Sequence, residues 1–193
     1  MSFDAFLKLD GIKGESQDLR HKGEIDILSF GMGVSQTGVQ ATGGGGGAGK
    51  AQYSDIHFVK KVDASSPLLL LNCSAGTHIA TAAVVVRKAG GTQLEYLKIK
   101  LTDVIISCYK PHGRAQQNEY QDFNIWGTQW EIQGKPSTAA AGAVQTFGDE
   151  VPLEYLSLNF ARIEFSYQPQ GSDGNAQGGP ILAGWDIKAN KKV

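Results

Sequence analysis

The sequence has few cysteines, no long apolar run and almost no net charge, and each shortage closes off a class of protein. Two cysteines in 193 residues make no disulfide framework. Cys73 and Cys108 lie in apolar segments and read as buried thiols of a reducing compartment. No run of 18 apolar residues occurs, so no membrane insertion is expected. The opening residues, MSFDAFLKL, lack a basic region followed by an apolar core, so no ordinary secretion signal is expected either. With 18 basic and 19 acidic residues the net charge is −1, and no global field draws the chain to nucleic acid or to an anionic membrane. His21, His57, His78 and His112 stand far apart, with no H-x-H or H-x3-H spacing, and read as surface or structural histidines rather than metal ligands. Ser74 and Ser107 lack the surroundings of an activated serine. No catalytic, metal or cofactor-binding residue is assigned, and no cofactor is expected. Internal repeats are absent.

What the chain does have is glycine, 25 residues of it, and alternation of apolar with polar residues. Phe3 to Leu9 alternates as a strand, with Phe3, Ala5, Leu7 and Leu9 on one face. Gly11 to Gly23 is a polar loop. Asp10, Glu15 and Asp18 beside His21 read either as an acidic loop site or as solvated loop. Tyr53 to Gly76 begins as a strand with Ile56, Phe58 and Val62 on one face. It then becomes the one convincing helix: Asp63 and Ser66 are candidate N-caps, Pro67 suits the first turn, and Gly76 stops it. The four leucines Leu68 to Leu71 predict that this helix is pressed against a sheet.

Four further segments carry the architecture. Glu24 to Val34 is a strand whose apolar phase slips: Ile25 and Ile27 face one way, Leu28, Phe30, Met32 and Val34 the other. Thr77 to Lys88 and Gln93 to Tyr109 form a hairpin, ended at Pro111 to Gly113. The second of these strands slips beyond Asp103. Leu153 to Tyr167 slips between Phe160 and Ile163. Ile181 to Ile187 is a last strand with Ile181, Ala183, Trp185 and Ile187 on one face. A strand that changes sides is one that turns the corner of a barrel or of two packed sheets. The expected fold is therefore mainly β: a β-barrel built from two packed antiparallel sheets, with one short flanking helix.

Between these strands, Ser35 to Lys50 is a loop by composition, with seven glycines in sixteen residues. Gly44, Gly49 and Lys50 match the spacing of a phosphate-binding loop. Ala51 cannot supply its magnesium-binding hydroxyl, and a strand follows where that motif needs a helix, so a flexible β–β loop is the favoured reading. Arg114 to Gly148 is obscure. Its Trp126 and Trp130 fit either a shelf for a sugar or partner, or the core of an added hairpin.

Taken together, GIKGES, His21, EIDILSFGMG, GGGGGAGK, HFVKKVDASSP, VVVRKAGG, EYLKIKLTDVIIS, LNFARIEFSYQPQ and GGPILAGWDIKAN resemble the haemolysin-coregulated protein (Hcp) family, the inner-tube component of bacterial type VI secretion systems. The resemblance runs from Phe3 to about Gly113 and from about Glu150 to Asn190. It implies a barrel flanked by a helix, a homohexameric ring with a central channel, and rings stacked into a tube, as in phage tail tubes. It further implies a non-enzymatic protein, held in the bacterial cytoplasm and then expelled by a contractile sheath. Its partners would be copies of itself, the sheath, spike and baseplate proteins, and secreted effectors carried in the channel. The chain reads as one domain, 1–193, with an insertion at about 114–148 that departs from the family pattern. Two surfaces are expected to matter. Ser29, Gly31 and Gly33 present a small face that would border the channel. Gly43, Gly44, Gly45, Gly46, Gly47, Gly49 and Lys50 form a loop that would order on the next subunit or ring. The alternative is a lectin-like binding barrel that uses Trp126 and Trp130.

Overall fold

A computed structural model describes residues 3–36, 38–39, 47–48, 50–88, 93–112, 151–171 and 174–193, with backbone alone for 38–39 and 47–48. The elements are β1 (Phe3–Leu9), β2 (Ile25–Ile27), β3 (Ser29–Gly31), β4 (Val34–Ser35), β5 (Gly38–Val39), β6 (Gly47–Ala48), β7 (Gln52–Tyr53), β8 (Ile56–Lys61), α1 (Ser66–Ala75), β9 (His78–Lys88), β10 (Glu95–His112), β11 (Leu153–Tyr167), β12 (Ile181–Asp186) and β13 (Lys191–Lys192). Pairing runs β13–β12–β11–β10–β9–β1–β2, and β8 joins β11 on one side and β3 on the other.

The expected phase slips are where this wall closes. Ile25 and Ile27 lie against Leu7 and Ala5 of β1. Leu28 interrupts, its N–H donating to the carbonyl of Val59 at 2.8 Å. Phe30 then pairs with Phe58 of β8. One strand thus serves two neighbours, and the circuit β3–β8–β11–β10–β9–β1–β2 returns to its start. In β10 the slip falls at Asp103, which takes a positive φ of 54°. Leu101 before it and Val104 after it are both fully buried. Opposite, β11 buries Phe160 and Ile163. It also exchanges its outer partner there, from β8 along Leu153 to Leu158 to β12 along Arg162 to Tyr167. One apolar core fills the interior, from Leu7, Ile25 and Phe58 to Leu101 and Leu158.

Two expectations need correcting. Pro111 does not end β10: Pro111 pairs with Glu154 and His112 with Leu153. The intervening stretch, including the expected insertion at 114–148, therefore leaves and re-enters the wall at one point, although its own residues lie outside those described. Helix α1 is not buried as a whole. Leu69 is, while Leu68, Leu70 and Leu71 are exposed, because successive helical residues turn by about 100°. The apolar face of β12 is likewise open, with Ile181 and Ala183 exposed and Trp185 half-buried.

The signals of Pro67 and Gly76 hold, but the N-cap is Ser65, neither Asp63 nor Ser66. Pro67 sits in the first turn, and Gly76 closes the helix in the left-handed region at φ 61°. At the other end Asp63 holds the N-cap residue in place, accepting the N–H and the hydroxyl of Ser65. Asp63 also accepts Lys60 Nζ at 2.9 Å, and Lys60 donates to Glu154 at 2.7 Å. Tyr109 donates to the other Glu154 oxygen at 2.6 Å. Burial, reinforced by the Glu154 charge, holds the Tyr109 hydroxyl well above its ordinary range and keeps it a donor. Lys60 and Glu154 are each 1% exposed, occupying inward positions that alternation reserves for apolar residues. Removing one partner strands the other charge in the interior. Glu154→Gln should therefore cost about 3–5 kcal/mol of stability in urea unfolding, and Lys60→Met with Glu154→Leu markedly less. Equal costs for the single and double replacements would contradict this account.

Candidate functional site

Ser29 and Gly31 point outward from β3. Register sets Ser29 beside Val59, and Gly31 beside His57. Across β8, His57 stands beside Ser157. A β-bulge between Ile106 and Cys108 brings Ser107 to the same region. Ser107 donates to Asp55 and lies 2.8 Å from the Ser157 hydroxyl, while Asn159 donates to the other Asp55 oxygen at 2.7 Å. Burial lowers the His57 pKa against the opposing pull of Asp55. The result is a small, hydroxyl-rich outer face on β3, β8, β10 and β11. A Cβ added at Gly31 meets nothing within 4 Å. Gly33 is not part of this row. It is tied to Ser54, its N–H reaching the hydroxyl at 2.7 Å and its carbonyl accepting the Ser54 N–H at 2.9 Å.

Gly33 and Ser54 mark the root of an arm. The segment expected as a loop continues the β3–β8 hairpin outward. Val34 and Ser35 pair with Tyr53 and Gln52, and farther out Gly38 and Val39 pair with Ala48 and Gly47. The register slips by one residue at each step from β3–β8 to β4–β7 to β5–β6. Glycine lacks side-chain propensity for a strand, but backbone pairing with the opposite side supplies what composition does not show. Of the expected stacking residues, Gly47 lies in β6 and Lys50 is exposed. Gly43, Gly44, Gly45, Gly46 and Gly49 lie outside the described residues, as do Trp126 and Trp130. Strand β7 follows Lys50, so the helix required for phosphate binding is missing at that place.

The remaining titratable groups are absorbed by structure. Among the described residues no group of three or more His, Cys, Asp or Glu could hold a metal ion. Cys73 and Cys108 are free and half-buried. His78 lies 2.7 Å from Asp103, which Lys188 also grips. His21 and Asp18 form a latch instead of an acidic site. Phe6, on the outward side of β1, stacks on His21 at 4.2 Å, and the Arg87 guanidinium lies 4.9 Å from the same ring. Arg87 binds Asp4 at 3.1 Å and Asp18. His21 Nδ1 is 2.8 Å from Glu24, and Nε2 is 3.5 Å from Glu95. The 11–24 loop is thereby strapped over the barrel wall. Sequence reasoning missed this latch, and its one signal was Phe6 breaking the alternation of β1.

The Arg87 hydrogen bond, aided by the N–H groups of Arg20 and His21, holds the Asp18 carboxyl below its ordinary range. A depressed carboxyl pKa stabilises the fold above the unfolded-state value, and that contribution is lost as pH falls through the folded-state value. Urea midpoints should therefore drop in acid, below about pH 4, and Asp18→Asn should lower the neutral midpoint while flattening that acid limb. Parallel curves for the two proteins would remove Asp18 from the latch.

Comparison with known proteins follows this architecture. Residues 6–167 match the family model described as "Type VI secretion system effector, Hcp". The chain is 38% identical over 191 residues to protein hcp1 of Pseudomonas aeruginosa, covering 98% of both. Among solved structures it is similar to Hcp1 of Salmonella typhimurium, with 30% identity, a TM-score of 0.68 and full coverage of both chains. It is also similar to a type VI secretion system effector from Yersinia pestis, with 31% identity, a TM-score of 0.63, and 95% of this chain and 99% of that one covered. The resemblance drawn from the sequence segments holds, and the chain belongs to the Hcp family of type VI secretion system proteins, with its partners in that system.

Proposed function

We propose that this chain is a tube subunit. Six copies close a ring, rings stack into a tube inside the contractile sheath, and secreted effectors ride in the channel. The chain acts by assembly and not by catalysis, and leaves the bacterial cytoplasm only when the machine fires. The observation that carries this reading is the arm from Val34 to Tyr53, a paired extension of the barrel's own hairpin that reaches away from the wall. Tyr53 at its root packs edge-on against Phe160 of the barrel, and the pairing beyond that root suits contact with a neighbouring ring. The stretch at about 114–148 is assigned as an insertion in a single domain, because the wall pairs from His112 to Leu153 across its base. The lectin reading rests on Trp126 and Trp130 alone and is not favoured. Sheath, spike and baseplate proteins are the expected neighbours.

Deleting Gly43 to Gly49 should leave far-UV circular dichroism and the thermal midpoint unchanged while electron micrographs show single rings in place of tubes. An unaltered proportion of tubes to rings would reject the stacking role. The outer face around Gly31 is assigned to the channel. Gly31→Gln has room within the subunit, so any effect must come from what lies opposite it. Rings should persist, and co-purified effector should fall several-fold. Undiminished retention would move the channel to another face.

A further inference from the structure

We infer that Cys73 and Cys108, the two cysteines of the chain, join in a disulfide that pins α1 to β10 once the protein meets an oxidising medium. The placement follows from where two strands part. Strands β9 and β10 pair as far as His78 and Ile105. Beyond that pair β10 runs on to His112 without β9. Helix α1, which leads into His78, packs against β10 instead, with Cα atoms of the two elements within 8 Å of each other. Cys73 lies in the end of α1 nearest His78, and Cys108 lies just past Ile105. Cys73 follows Ser66 by almost two full helical turns, so it shares the side of the helix that buries Ser66 and Leu69. It accordingly packs on the apolar core. The bulge between Ile106 and Cys108 falls in the same stretch of β10.

Both thiols are free and half-buried, so a small reagent reaches a seam that is otherwise packed. Burial, and after it the charge of a nearby Cys108 thiolate, pushes the Cys73 thiol up and keeps it protonated in a neutral reducing compartment. Cys108 is therefore the sulfur that opens the exchange. Its thiolate attacks a low-molecular-weight disulfide such as oxidised glutathione, taking one half and releasing the other as a thiol. The Cys73 thiolate then attacks the Cys108 sulfur and displaces the second half. The protein loses two electrons and two protons, and the reagent gains both as two thiols. The start of α1 is already held, through Asp63 and Lys60. The new bond holds its far end. It closes a loop that contains all of β9 and most of β10, and a closed loop of that length restricts the unfolded chain. The pairing belongs to the single chain. Only its timing, on leaving the cytoplasm, rests on the secretion reading above.

The full chain is incubated with oxidised glutathione at neutral pH, alkylated in urea, digested with trypsin without reduction and mapped by mass. Peptides 62–87 and 101–114 should appear joined, in chains that run singly on non-reducing denaturing gels. Both alkylation sites of the reduced protein should be lost. The urea midpoint should rise by on the order of 1 M over that of the reduced protein, and the rise should vanish in Cys108→Ser. Should that variant fail to fold, the wild type with and without a reductant carries the comparison. Two separate glutathione adducts, or chains linked in pairs, overturn the bond, and an unmoved midpoint with joined peptides overturns the pinning of α1. These readings are blind to rings and tubes. Failure here leaves the tube reading standing, and a protein found only as lone subunits leaves the bond standing.

Discussion

A closed wall has one inside, and a strand has two faces. The fold depends on how that mismatch is met. Between β2 and β3, at Asp103 in β10, and opposite it in β11, the backbone shifts phase so that the side turned to the core changes. At the first and last of these places the partners change as well, while β10 keeps β9 and β11 on either side of Asp103. Leu28 hands one strand from β1 to β8, and β11 passes from β8 to β12. Without these shifts the apolar residues after each corner would face water, since a one-residue change of phase reverses every side chain that follows. The long hairpin of β10 and β11 can then serve both layers of the barrel with one pair of strands.

These shifts were legible in the sequence because they interrupt a period-2 pattern, and an interruption can be placed to a residue or two. Pro67 and Gly76 bracketed the helix for an equally local reason. What stayed illegible depends on partners far along the chain. Lys60 looks like a surface residue until Glu154, 94 positions later, lies beside it. Phe6 looks like an exposed aromatic until His21 folds over it. The four leucines misled by number. A helix turns consecutive residues to different sides, so a run of four cannot all point inward, and only Leu69 does. The glycine-rich arm misled by composition, because strand pairing belongs to the backbone and glycine has one.

The charged groups share a pattern. Both enclosed clusters, Lys60 with Glu154 and Asp63, and Arg87 with Asp4 and Asp18, tie a segment outside the barrel wall to the wall itself. One holds the start of α1, the other the loop after β1. Apolar contact alone would let such segments slide, whereas charge-assisted hydrogen bonds fix direction as well as distance. If the chain assembles with copies of itself as proposed, fixed outer segments keep every copy the same shape.

Strand β8 also sets a direction. The arm joins before Ile56 at one end, and Lys61 at the other end adjoins Leu153, where the long connection from β10 returns. Six residues of strand separate the two attachment points, about 20 Å. The two ends of β8 therefore carry different attachment points, and turning the barrel over exchanges one for the other. In the proposed tube, copies laid end to end in the same sense would repeat a single junction and give a filament with distinguishable tips, whose two ends need not grow alike.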